Sequence, residues 1–152
     1  MITFKPTRNI DLIEYVANIP DIQAGTANGN YFSYNSQEIY FEVGVHNEFA
    51  GIIRAIEVQP KSYECHAMFL ENMRGFSRDI GISFWSYFFA NYPVECVLSM
   101  ASDKFRKGKF YCASIGLKRR GVIPKFFDGK TDVTIYSATR EEIFEFISKE
   151  RR

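Results

Sequence analysis

Residues 64–93 read ECHAMFLENMRGFSRDIGISFWSYFFANYP, and this stretch predicts a strand, a turn and a long helix. Residues 65–70 alternate in the manner of a strand, Arg74-Gly75 marks the turn, and Pro93 ends the helix. Backbone N–H groups at the start of a helix point beyond the turn, and nucleotide-binding folds hold phosphates there. The stretch is therefore the expected centre of the fold and a candidate anion site.

The predicted helix carries an aromatic stripe. Trp85, Phe88, Phe89 and Tyr92 recur at helical spacing, and Phe84 widens the stripe. Aromatic residues make up 16% of the chain, which indicates an interior rich in rings. We therefore expect the stripe to pack in the core rather than to line a ligand site.

The composition is that of one globular domain. The chain has 152 residues, of which 24% are charged and 46% hydrophobic, so we expect a single domain over residues 1–152. Three cysteines without paired spacing, Cys65, Cys96 and Cys112, predict buried thiols in a reducing compartment and no metal site. The start shows no signal-peptide pattern, which predicts a cytoplasmic location.

Charge is distributed unevenly along the chain. Residues 1–72 hold nine acids and four Lys or Arg, whereas residues 101–130 hold nine Lys or Arg against Asp103 and Asp128. One reading is a pair of ordinary solvated faces. The other is a basic surface for an anionic partner: a phosphorylated cofactor, nucleic acid or an acidic protein.

Periodicity and turn signals predict a mixed α/β fold. The predicted strands are residues 2–6, 38–46, 49–58, 64–70, 94–101, 117–127 and 131–137. One helix is predicted after Asn9 as its N-cap and another after Asp103. The helix in between ends at Pro93, and the last helix begins at a Thr139–Glu142 capping box. Because a helix separates them, the strands at 64–70 and 94–101 are expected to be parallel.

The helix predicted at residues 104–115 is basic and amphipathic. Its expected apolar contacts are Phe105, Phe110, Tyr111 and Ile115. The same aromatic residues interleave with cations, as in a platform on which nucleic-acid bases stack. On a helix they should face the core, however, so nucleic acid is not the expected partner.

This order of elements resembles the GNAT superfamily of N-acetyltransferases over nearly the whole chain. That family holds the pyrophosphate of acetyl-CoA on a turn written Gln/Arg-x-x-Gly-x-Gly/Ala, and residues 74–79 (RGFSRD) occupy the matching positions. The resemblance implies a mostly antiparallel sheet flanked by helices, with acetyl-CoA as cosubstrate and no metal. The residues it implies for binding CoA are Arg74, Gly75, Phe76, Ser77 and Arg78, with Lys104, Arg106 or Lys107 on the 3′-phosphate.

Two landmarks of the family are altered in this chain. Ser77 and Asp79 stand where the turn has small residues, and a carboxylate beside a pyrophosphate disfavours binding. Counting back from Gly116, the family's tyrosine, which protonates the departing thiolate, falls on Cys112, with Tyr111 one residue earlier. The resemblance thus implies a degenerate member that transfers an acyl group to an amine or has lost that activity.

Candidate catalytic residues follow from the same resemblance. Tyr111 is the candidate acid for the thiolate, and Glu71 is the candidate base for the amine. Glu64, His66 and Glu42 are alternatives for the base. The expected acceptor is an amine on a small molecule or a protein.

A second resemblance points away from catalysis. GNAT-like chains of this size with altered CoA turns occur in tailed bacteriophages among head-assembly and internal virion proteins, and this chain looks similar to them. The implied partner is then a phage or host protein, and the location is the host cytoplasm or the virion. No membrane is expected, because the longest apolar-looking segment, residues 80–94, carries Ser83 and Ser86 and is too short to span a bilayer.

Overall fold

The computed structural model describes residues 1–151. The strands are β1 (Ile2–Thr7), β2 (Ile39–Val45), β3 (Glu48–Gln59), β4 (Ser62–Phe69), β5 (Cys96–Ser102), β6 (Lys118–Ile123) and β7 (Val133–Thr139). The α-helices are α1 (Ile10–Ala17), α2 (Pro20–Thr26), α3 (Ser77–Asn91), α4 (Arg106–Ser114) and α5 (Arg140–Glu150). A 3-10 helix covers Glu71–Phe76.

The seven strands form one sheet in the order β1-β2-β3-β4-β5-β7-β6. The pairs β1/β2, β2/β3, β5/β7 and β6/β7 are antiparallel. Strands β4 and β5 are parallel, pairing from Ser62 with Cys96 to Glu64 with Leu98, as expected for strands joined through a helix. The prediction of a mixed, mostly antiparallel sheet flanked by helices is confirmed.

Contacts group the chain into two compact units. The first unit comprises Met1–Ile56 and Cys65–Ser77, and the second comprises Glu57–Glu64 and the chain from Arg78 onwards. The description of residues 1–152 as one domain therefore stays a prediction, and the two units are described separately.

The core of the first unit lies under α1 and α2. Asn9 begins α1 as predicted, because its side chain accepts a hydrogen bond from the backbone N–H of Leu12 (3.2 Å). The buried cluster takes residues from both helices and from the strands: Ile13, Val16, Ala17, Ile22, Phe32, Tyr40, Ile52 and Met68.

The core of the second unit is built around α3. Phe84, Trp85, Phe88 and Phe89 are all buried, which confirms the core prediction for these four, whereas Tyr92 at the end of the stripe is only half-buried. The indole Nε1 of Trp85 donates to the carbonyl of Ile115 at 2.9 Å, so the buried N–H is satisfied. The predicted capping box at the start of α5 is also present.

The prediction for helix α4 is wrong in two respects. The helix starts at Arg106 rather than 104, and its N-cap Phe105 makes no side-chain cap bond. Asp103, the predicted cap, instead accepts hydrogen bonds from Lys109 (2.9 Å) and Thr134 (3.0 Å). Phe110, a predicted core contact, is 75% exposed.

Candidate functional site

The turn after β4 runs into α3 without an intervening loop. The backbone N–H of Ser77, which begins α3, is bonded to the carbonyl of Arg74. The Ser77 hydroxyl donates to the same carbonyl at 2.7 Å. The hydroxyl is thereby used within the turn, and a ligand here would meet mainly backbone.

Arg74 is held by two groups of the first unit. Its Nε donates to the carbonyl of Phe69 (3.3 Å), and its guanidinium forms an ion pair with Asp21 at the start of α2. The hydrogen bond from Arg74 lowers the pKa of the Asp21 carboxyl. The side chain is about two-fifths exposed, so an anion at the turn would share it with Asp21.

Gly75 leaves the backbone of the turn open. A Cβ built on this residue would meet no atom within 4 Å outside its chain neighbours. Next to it, the Phe76 ring is 37% exposed and contacts the His46 ring edge-on at 5.9 Å. The turn therefore offers uncovered backbone that a ligand can approach.

The first turn of α3 contributes charge of both signs. Arg78 forms an ion pair with Glu150 of α5, and Asp79 is exposed. A carboxylate in this position stabilises the positive end of the helix dipole. The same charge repels an anion that approaches the helix.

Helix α4 turns its cations outward and its small residues inward. Arg106 and Lys107 are exposed, whereas the Cβ position of Gly108 is 4.0 Å from the Cβ of Ala101 on β5. Cys112 is also on the inner side. Burial raises the pKa of its thiol, and a hydrogen bond with Ser99 of β5 only partly offsets this.

The two candidate catalytic residues have different surroundings. The Tyr111 hydroxyl lies 2.7 Å from the place a Cβ on Gly81 would take, so it packs against α3. Glu71 is exposed at the first position of the 3-10 helix. Glu71 belongs to the first unit and Tyr111 to the second, and their catalytic roles stay predictions.

Sequence reasoning missed a partly buried ion pair in the first unit. The guanidinium of Arg54 is paired with the Glu38 carboxylate, which also accepts the Tyr40 hydroxyl at 2.8 Å. Burial and the bond to Glu38 raise the pKa of Tyr40 to about 12. Burial alone would raise the pKa of Glu38, but its bonds with Arg54 and Tyr40 and the nearby His66 lower it. The cluster of Glu38, Tyr40 and Arg54 depends on the register of β2 and β3, which sets Tyr40 opposite Arg54.

Two broader features bear on the kind of site. Among residues 1–151, no three His, Cys, Asp or Glu side chains are grouped so as to hold a metal ion. None of the helices in that range has the length and apolar character needed to cross a membrane.

One family model matches this chain over residues 2–149, that of the family described as protein of unknown function, DUF2824. Among curated proteins, the chain is similar to Protein gp14 of Salmonella phage P22. The two are 54% identical over 151 residues, which is 99% of this chain and 100% of the phage protein.

Solved acetyltransferase structures share the fold. Spermidine N-acetyltransferase from Vibrio cholerae, in complex with CoA and spermine, has a TM-score of 0.79 and 16% identity, covering 94% of this chain and 98% of the enzyme. The SpeG enzyme of the same organism with manganese ions has a TM-score of 0.74 and 15% identity, covering 95% and 96%. At these identities the likeness establishes a GNAT-like fold and nothing finer.

Proposed function

This chain belongs to the DUF2824 family. We propose that it is a GNAT-type N-acyltransferase, which moves an acyl group from acyl-CoA to an amine. The observation that carries the proposal is the open backbone at Gly75, in the turn that leads from β4 into α3. A turn of this kind presents N–H donors and the positive end of the α3 dipole to a phosphate.

The residues present fit a CoA pyrophosphate through backbone more than through side chains. In the proposal, the amides of Gly75 and Phe76 face the pyrophosphate, and Ser77 lies beside it with its own N–H bonded to the carbonyl of Arg74. Arg74 and Arg78 add charge while they remain paired with Asp21 and Glu150. Lys107 is proposed for the 3′-phosphate.

The proposed reaction needs one base and one acid from the protein. The amine nitrogen attacks the thioester carbonyl, a C–N bond forms and the C–S bond breaks. Glu71 takes the proton that the nitrogen loses, and Tyr111 gives one to the sulfur. Positioning of the two substrates supplies most of the acceleration. The proposed acceptor is an amine on a small molecule or a protein, by analogy with the spermidine enzyme.

Calorimetric titration with acetyl-CoA tests the proposal. We expect saturable heat, and an Asp79→Ala variant should bind more tightly because it removes a carboxylate from the helix start. Glu141→Ala, which removes an exposed acid from the first turn of α5, is the matched control and should leave binding unchanged. No heat at about 1 mM ligand would exclude acetyl-CoA as a substrate of useful affinity.

A second candidate function is that of a non-catalytic phage protein acting through protein contacts in virion assembly or in the host. The observation in its favour is the 54% identity to a phage P22 protein along that protein's whole length. Mass spectrometry of purified phage particles and of infected cells tests this candidate and its proposed location. Recovery of the chain only as a free protein, active with acetyl-CoA, would contradict it.

A further inference from the structure

One exposed face of α4 combines cations with an aromatic ring. Arg106, Lys107 and Phe110 share this face by helical spacing, and Phe110 is 75% exposed. Within residues 1–151, neither Arg106 nor Lys107 takes part in an ion pair. A helix face that contacts only water does not require an exposed Phe side chain, so this combination indicates a contact surface.

The loop between β6 and β7 extends this face. The Phe127 ring contacts the Phe105 ring edge-on at 5.9 Å, which brings the loop against the start of α4. Phe126 is 57% exposed between Lys125 and Lys130. We call Arg106, Lys107, Phe110, Lys125, Phe126 and Lys130 the basic surface.

The acids next to the basic surface are engaged in holding the loop. Asp128 accepts from the backbone N–H groups of Lys130 (2.9 Å) and Thr131 (2.6 Å). Asp132 accepts from the backbone N–H of Lys125 at 3.0 Å. These carboxylates hydrogen-bond backbone N–H groups rather than lysine side chains. The side chains of Lys125 and Lys130 are exposed.

An open depression with the opposite charge lies on the first unit. It has a volume of about 680 Å³, and its lining includes Asp11, Glu14, Tyr15, Pro20 and Tyr31, with no Lys or Arg. Tyr15 and Tyr31 are 70% and 67% exposed. The Glu14 carboxylate accepts from the Tyr31 hydroxyl at 3.0 Å, which holds the rim in place. We call this the acidic depression.

We propose that the basic surface of one copy of this chain docks into the acidic depression of a second copy. The two surfaces are complementary in charge. Each also carries exposed aromatic rings, and these would be buried when two copies bind. Phe110 is the expected anchor, against Tyr15 and Pro20. Because the two surfaces differ, the contact is heterologous, so every copy offers one of each. This inference does not rest on acyl transfer.

A second copy explains more than nucleic acid does. A polynucleotide would use the basic surface, but it would leave the acidic depression and its exposed tyrosines uncovered. Self-association accounts for both surfaces at once.

Sedimentation velocity over a range of protein and salt concentrations tests the proposal. We expect the average mass to rise with protein concentration, and the association to weaken as NaCl goes from about 0.05 M to about 1 M, because screening shortens the range of the charges. Phe110→Ala and Tyr15→Ala should each weaken association at least tenfold. Val58→Ala, which removes an exposed apolar side chain elsewhere, should leave it unchanged.

Charge reversal identifies the occupant. Asp11→Lys and the pair Lys125→Glu with Lys130→Glu should each stop self-association, and a mixture of the two proteins should associate again. A chain that stays monomeric at low salt, or that associates equally with Phe110→Ala, overturns the proposal. Reversal that abolishes binding of a dT20 oligonucleotide but leaves self-association intact would also overturn it, and would assign the basic surface to nucleic acid.

Discussion

The turn after β4, in the first unit, and the outer face of α4, in the second unit, differ in what they offer a ligand. At the turn, Arg74 and Arg78 are paired with acids of the chain, and the backbone at Gly75 is open. On α4, Arg106 and Lys107 are exposed without ion pairs in residues 1–151. The backbone N–H groups after the first turn of the helix are hydrogen-bonded within it. We therefore expect a ligand to be recognised by backbone groups at the turn and by side chains on α4.

The largest expected effect is on the free energy of unfolding, and it tests how α4 packs against α3. This packing decides which side chains of α4 face outward. In Gly81→Val, the new side chain would meet Ile115 and Tyr111 at 2.7 Å or less, so the free energy of unfolding should fall by about 1 to 3 kcal/mol. Gly25→Val, with no atom within 4 Å, is the control. Urea unfolding measures both. Equal stability of the two variants would mean that Tyr111 and Ile115 do not pack against Gly81.

The next effect tests the backbone of the turn. Gly75→Ala should leave the free energy of unfolding within about 0.5 kcal/mol of the parent, because its Cβ enters empty space. The same methyl group would stand where a pyrophosphate approaches, so we expect the Kd for acetyl-CoA to rise at least tenfold, or about 1.4 kcal/mol. Calorimetry and urea unfolding on one preparation separate the two outcomes. Unchanged affinity would remove the turn from the site.

A smaller effect tests the side chains of α4. Lys107→Ala should weaken acetyl-CoA binding roughly fivefold, about 1 kcal/mol, and flatten its salt dependence, since one cation near a phosphate is lost. Lys5→Ala, an exposed lysine on β1, is the matched control. If Lys107→Ala binds like the parent while Arg74→Ala binds much more weakly, the assignment of side chains and backbone is reversed.

The smallest effect concerns cations that are already paired. Lys118 and Arg120 on β6 both bind Glu142; the bond from Lys118, with that from the Thr139 backbone, lowers the pKa of this carboxyl from 4.5 to about 2. A lowered pKa in the folded state stabilises the fold above pH 4.5, and this contribution is lost as the pH falls towards 2.

The measurement is the free energy of unfolding between pH 7 and pH 2 for the parent and for Glu142→Gln. The difference between the two proteins should be full near pH 7 and vanish near pH 2. Because Gln can still accept the cap bond from the Thr139 backbone N–H, a difference independent of pH would show that the charge of Glu142 is not what stabilises the fold.

Much of the fold could be predicted because its signals are local. The Asn9 cap, the aromatic stripe of α3 and the Thr139–Glu142 box each involve residues within a few positions of one another. Helix α4 was predicted less well. Its predicted cap, Asp103, is bonded instead to Lys109 and to Thr134 on β7, and Thr134 lies 31 residues away in sequence.

The candidate site divides in the same way. Sequence placed the Arg74-Gly75 turn between β4 and α3, but it contains no sign that Arg74 is paired with Asp21. The partly buried Glu38–Arg54 pair could not be predicted either, because nothing local indicates which β3 residue faces Tyr40.

By itself, the sequence determined the order of helices and strands, the parallel step from β4 to β5, and the position of the turn, since periodicity, caps and glycines act over short distances. Only the tertiary structure decided which polar groups remain open to a ligand. Asp21 lies 53 residues from Arg74, and Glu150 lies 72 residues from Arg78. Charges so far apart in sequence meet only after the sheet has brought their elements together, so their pairing cannot be read from local pattern.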